Sequence, residues 1–192
     1  VPSSVIHELL NGAQKDFDEL TQDAPSTPTL ALQRARLDRL FAQLYDAAGD
    51  SVQHEAMALR AFERLGSVAT QRRFVAPYTW FARLPLQRNV ATERTLAHEA
   101  LAQAKFNKGD SAGARLAFQA MAREADGLVT SVGDASARML AANARSHIAR
   151  LSYEAGDLEA ALLELDAAGK ILSKHAAPDE IAFRQHAQKD AG

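Results

Sequence analysis

Phe106-Asn-Lys-Gly-Asp110 and Tyr153-Glu-Ala-Gly-Asp157 each end one amphipathic stretch and open another, and Asp46-Ala-Ala-Gly-Asp50 does the same nearer the start of the chain. Glycine adopts the left-handed backbone conformation that closes a helix at little steric cost. The aspartate beside it is placed to cap the first N–H groups of the next helix and to interact favourably with its dipole. Three such stops predict three tight helix–turn–helix hairpins.

The sequence around these turns keeps helical spacing. Leu37, Leu40, Phe41, Leu44 and Tyr45 form an i, i+3, i+4, i+7, i+8 stripe ahead of Gly49. Nearer the start, Val5, Ile6, Leu9, Leu10, Ala13, Phe17 and Leu20 recur at the same period. Asp23-Ala-Pro-Ser-Thr-Pro28 separates these two stretches, since each proline removes a donor and biases its predecessor away from helix. Helices are expected over about 3–20, 29–48, 51–65, 92–107, 111–125, 134–155 and 158–175, and Pro178 starts a short terminal one. The fold class is therefore all-α, with about eight helices in antiparallel pairs stacked as a short solenoid. The domain organisation is one helical unit over 1–192. It divides into an N-terminal helix (1–26), a first pair (27–66), an irregular aromatic and basic insert (67–90), a second pair (91–126), a third pair (134–176) and a C-terminal helix (178–192).

Composition agrees and excludes several classes. An apolar fraction of 47% with 24% charged residues is that of a globular protein. Zero cysteines remove disulfides, thiolate chemistry and sulfur-ligated zinc, and fit a reducing, cytoplasmic setting. A net charge of −2 argues against electrostatic capture of nucleic acid. No apolar run approaches the ~18 residues of a membrane helix, and Val1 onward lacks the shape of a signal peptide. Beginning at Val1, the sequence is expected to be a piece of a longer protein.

Registering the three units on their turn glycine exposes further agreement. Eight residues before it stand Phe41, Leu101 and Ile148, and seven before it Ala42, Ala102 and Ala149, small residues where two helices approach closely. Five and nine after it come Ala114 and Phe118, then Ala161 and Leu165, and twelve after it Ala61, Met121 and Ala168. This pattern resembles the tetratricopeptide repeat. It departs from that repeat in the wide spacing of its glycines, in His54 and Ala58 of the first unit, and in the usually bulky position eleven before glycine, which holds Asp38, His98 and Arg145. The wording is most similar to the divergent, long-helix repeats of large bacterial signalling and defence proteins, where repeats are joined to a TIR, kinase or caspase-like effector. The resemblance implies a groove lined by the first helix of each pair, with Arg34, Asp38, His98, Arg145 and Asn143 as outward contacts.

Catalysis finds no foothold. His54-Glu55 and His98-Glu99 lack the second histidine of H-E-x-x-H, and the Glu-x-x-His pairs of a di-iron bundle are absent. Phosphate-binding glycine motifs and G-x-S-x-G are likewise missing. No cofactor, metal ligand set or catalytic residue is expected. The segment with most local character is Gln71–Arg88, where Arg72, Arg73, Arg83 and Arg88 interleave with Phe74, Tyr78, Trp80 and Phe81. Arginine among aromatics suits a carboxylate-bearing peptide, by bidentate pairing and rigid apolar area. The commoner use of such rings is as a core plug beneath solvated arginines. The expected function is a protein or peptide interaction scaffold. A segment that spaces or dimerises an attached effector is the alternative, and a helical ligand pocket or enzyme ranks last.

Overall fold

The computed structural model describes residues 3–22, 27–70, 80–131 and 135–173. Every element among them is an α-helix: α1 (Ser3–Gln22), α2 (Pro28–Ala47), α3 (Ser51–Thr70), α4 (Trp80–Asn107), α5 (Ser111–Ser131), α6 (Ala135–Glu154) and α7 (Leu158–Ser173). The all-α expectation holds, with seven helices among the described residues. The segment expected to form an eighth, 178–192, lies outside them.

The Gly-Asp turns work as their chemistry predicts. Gly49, Gly109 and Gly156 have φ of +78°, +81° and +80°, a conformation closed to most side chains. The N–H of the following aspartate reaches back to the carbonyls of Tyr45, Lys105 and Ser152, each at 2.9 Å, the long bond of a glycine-terminated helix. The Oδ1 atoms of Asp50, Asp110 and Asp157 accept from the N–H of Gln53, Gly113 and Ala160 at 3.0, 2.8 and 3.0 Å, capping the next helix. Thr27 caps α2 in the same way, its Oγ1 accepting from Leu30 N, with Pro28 at the position that needs no donor.

The turns join helices that pack on one another, α2 on α3, α4 on α5 and α6 on α7. Contacts of α3 with α4 and of α5 with α6 link successive pairs, the first helices meet as α2 with α4 and α4 with α6, and α1 rests on α2. Ala42, Ala102 and Ala149 are buried, as close helix approach requires. The apolar interior forms three clusters, around Leu32, Leu65 and Val90, around Tyr45 and Met57, and around Phe118 and Met121.

Two boundaries correct the sequence expectation. Helix α3 runs on to Thr70 and α4 starts at Trp80, so the irregular stretch expected over 67–90 is helical at both ends. Residues 71–79, with Arg72, Arg73 and Tyr78, lie outside the described residues. Pro85 is the sixth residue of α4, past the first turn, so the helix runs through it at the loss of one backbone donor. Beyond it, Leu86 and Val90 pack against the cluster of Leu32, Ala35 and Leu65, a burial the local breaker signal does not contain. Likewise α5 passes through Gly127 to Ser131, where Leu128 is buried, beyond the end at 125 expected from sequence.

Candidate binding groove

The position eleven residues before each turn glycine decides what the structure can bind. Asp38, His98 and Arg145 each sit on the first helix of a pair and face the seam between the helices on either side. Asp38 faces Arg60 and Arg64 of α3, with Asp18 of α1 beside them. His98 lies against Phe62 of α3, ring centroids 4.7 Å apart, and takes the field of Arg123 from α5. Arg145 donates to Asp126 of α5 at 2.7 Å and to Glu164 of α7 at 3.3 Å.

Of the set expected to face outward, Asn143 is exposed, Arg34, His98 and Arg145 are half-buried, and Asp38, which is buried, is a correction. Asp38 is 1% exposed and committed to two guanidinium groups. Arg145 closes its own seam with two carboxylates. Arg34 donates to the backbone carbonyl of Thr21 and lines a separate polar cleft of about 640 Å³ beside α1, with Asn11, Asp18 and Arg64. Trp80 and Arg83 lie in the first turn of α4, and their side chains are outside the described residues.

The first and third seams are bridged by charge pairs, and Asp18 and Arg64 of the first also line the cleft beside α1. In the first, Arg64 Nε approaches Asp38 Oδ2 to 2.5 Å and Arg60 Nε approaches Oδ1 to 3.4 Å, the closer contact out of line for a hydrogen bond. Burial raises the Asp38 carboxyl above its usual range, outweighing the attraction of Arg64 and Arg60.

The middle seam stays open. It is a groove of about 530 Å³ floored by Ala91, Arg94 and His98 of α4 and walled by Phe62 of α3 and by Arg123, Glu124 and Leu128 of α5. Arg94 Nη2 is held by Glu124 Oε1 at 2.7 Å, with its guanidinium 6.0 Å from the Phe62 ring centroid. Arg123 is exposed and has no ion pair among the described residues. Burial, then the cations Arg94 and Arg123, push the His98 imidazole down to about 4. At neutral pH the groove therefore holds a neutral histidine, one paired arginine and one unpaired arginine beside the apolar Phe62 and Ala91. That combination accepts an anionic group on an otherwise apolar segment. Among the described residues no group of three His, Cys, Asp or Glu is placed to hold a metal ion.

Of the residues expected from sequence, the structure brings only His98 into this groove. Phe62, Arg94, Arg123, Glu124 and Leu128 were missed. Arg94 and His98 stand at i, i+4 on one face, and Arg123, Glu124 and Leu128 on another, so the helical spacing was visible. The early end expected for α5 hid only Leu128. The others lay within expected helices, and what hid them was that their convergence from α3, α4 and α5 is a tertiary property.

Comparison with family models, with curated proteins and with solved structures finds no match.

The depressed His98 gives a pH expectation. Its folded pKa lies below the unfolded value, so its contribution to stability is present above pH ~6.5 and is lost as pH falls toward 4. Melting curves between pH 7 and 4.5 should show a steeper loss for the wild type than for His98→Leu, which cannot titrate there. Parallel losses in the two proteins count against a buried, neutral imidazole.

Proposed function

We propose that this chain is a non-catalytic interaction module of the tetratricopeptide type, a short solenoid of helix pairs, and that its groove over α4 holds an acidic segment of a partner protein. The observation that carries this reading is Arg123, a cation with no ion pair among the described residues, beside the neutral His98 and the apolar ring of Phe62. A partner carboxylate gains a charge-assisted bond there without breaking the Arg94–Glu124 pair, and aliphatic side chains beside it cover the floor. The order of helix contacts, pair by pair, supports the solenoid. No described helix is long and apolar enough to cross a membrane. A cytoplasmic setting and a parent protein with an attached effector domain belong to the same reading.

Fluorescence anisotropy with labelled peptides tests it. Peptides of alternating aliphatic and acidic residues should bind in low salt, and their lysine counterparts should not. Arg123→Glu should weaken the acidic peptides about tenfold or more, as reversal of one charge contact does. Binding should also raise the His98 pKa, read from its imidazole resonances, because the bound carboxylate favours the imidazolium. Equal affinity for acidic and basic peptides, or for wild type and Arg123→Glu, rejects the groove as the site.

A further inference from the structure

We propose that the face of α2 and α3 beneath α1 is a docking surface for an acidic helix of a partner protein, and that α1 is its resident occupant, displaced when that helix binds. The site is separate from the groove over α4 and does not rest on it.

The way α1 is held carries the case. Among residues 5–22 none is buried, and of these side chains Leu10 packs against an interior cluster. Leu9 and Leu20 are 68% and 83% exposed, and Val5 and Ile6 also face water. Apolar burial, the usual anchor of a helix, therefore contributes little here.

Polar bonds hold α1 instead. His7, Asn11, Gln14, Asp18 and Thr21 recur at spacings of four and three, which places them on one face. His7 Nε2 lies 3.6 Å from Asp50 Oδ2. The Tyr45 hydroxyl donates to Asn11 Oδ1 at 2.6 Å, with Gln14 Oε1 3.2 Å away. Asp18 pairs with Arg60 and Arg64, and the Thr21 carbonyl accepts from Arg34. The fit is open, with a polar cleft of about 640 Å³ between α1 and Arg34, Gln53 and Arg64. Part-exposed ion pairs and single hydrogen bonds hold weakly, since water competes for each.

What these contacts recognise is general to acidic helices. A carboxylate one turn before the helix end meets two guanidinium groups. A third guanidinium takes a carbonyl of the kind that every helix leaves unpaired at its C-terminus. Side-chain oxygens seven and four positions before the acid meet Tyr45. With α1 away, Arg34, Arg60 and Arg64 stand against the single carboxylate of Asp38 among the described residues. That excess of positive charge selects an acidic helix over a neutral or basic one.

Fluorescence anisotropy with a labelled peptide of residues 3–22 as the probe tests the inference. The chain used carries Arg123→Glu, so that the α4 groove contributes nothing. The peptide should bind, and Asp18→Asn in the chain should tighten it about fivefold or more by loosening the resident helix. His7→Ala in the chain, at the other end of α1, should act in the same direction. Asp18→Asn in the peptide should weaken binding by a similar factor. In heteronuclear NMR spectra the chain's α1 amides should move toward random-coil positions as unlabelled peptide is added. No binding to the Asp18→Asn chain overturns the proposal, as does binding that leaves α1 in place. A chain that dimerises with rising concentration and releases the peptide overturns it in favour of α1 exchanged between two copies.

Discussion

Replacing Arg60 and Arg64 together by alanine is expected to lower the unfolding free energy by about 3–5 kcal/mol at neutral pH, the usual effect of leaving a buried charge without its partner. Asp38 is 1% exposed, and the two guanidinium groups are its only countercharges among the described residues. Both arginines also pair with the part-exposed Asp18, which water solvates when they are removed. Adding Asp38→Asn to the double variant should recover a large part of the loss, because the amide needs no cation.

The pH dependence has a defined sign. Burial already holds the Asp38 pKa above its unfolded value, and removing both arginines raises it further. A raised carboxyl contributes stability that is present below the unfolded pKa and is lost as pH rises through the folded one. The defect of the double variant should therefore shrink on acidification from pH 7 toward 4. Urea unfolding at several pH values checks this. A defect independent of pH, or unrelieved by Asp38→Asn, would assign the loss to the packing of the two arginine stems.

The second large effect lies in the apolar interior. Phe118→Ala is expected to cost about 3–5 kcal/mol, the range for emptying a buried aromatic site. Phe118 is completely buried, stacked on the His147 ring at 4.5 Å and surrounded by Ala102, Met121, Ile148 and Leu151. It touches three helices, so its loss loosens the junction between the second and third pairs as well as α5 itself. Leu116, two residues earlier on the same helix, is 67% exposed. Leu116→Ala should stay within about 0.5 kcal/mol of wild type. Equal effects from the two changes, measured by urea unfolding, would place α5 in a different rotation about its axis.

Local chemistry made much of the fold legible. Gly49-Asp50, Gly109-Asp110 and Gly156-Asp157 each carry a residue that tolerates positive φ and a carboxylate that caps the next helix. Both properties act within a few residues, so they can be read before any tertiary contact is known. The small residues at 42, 102 and 149 announced close helix approach for the same reason, since only a small side chain lets two backbones come near.

The limits of α3, α4 and α5 were decided at long range. Val90 and Leu128 are buried by neighbours far away in sequence, and that burial carries helix past Pro85 and Gly127, which by local propensity stop it. The site followed the same division. Sequence alone showed that Asp38, His98 and Arg145 share one position of the repeat, and that polar residues occupy it. Which seam is bridged by charge pairs and which is not depended on the helices to either side. Two arginines of α3 neutralise Asp38, and carboxylates of α5 and α7 neutralise Arg145. His98 instead meets Phe62, with Glu124 already engaged by Arg94 and Arg123 left unpaired. Charge compensation between side chains from different helices is a property of the assembled structure, and only the tertiary fold settled it.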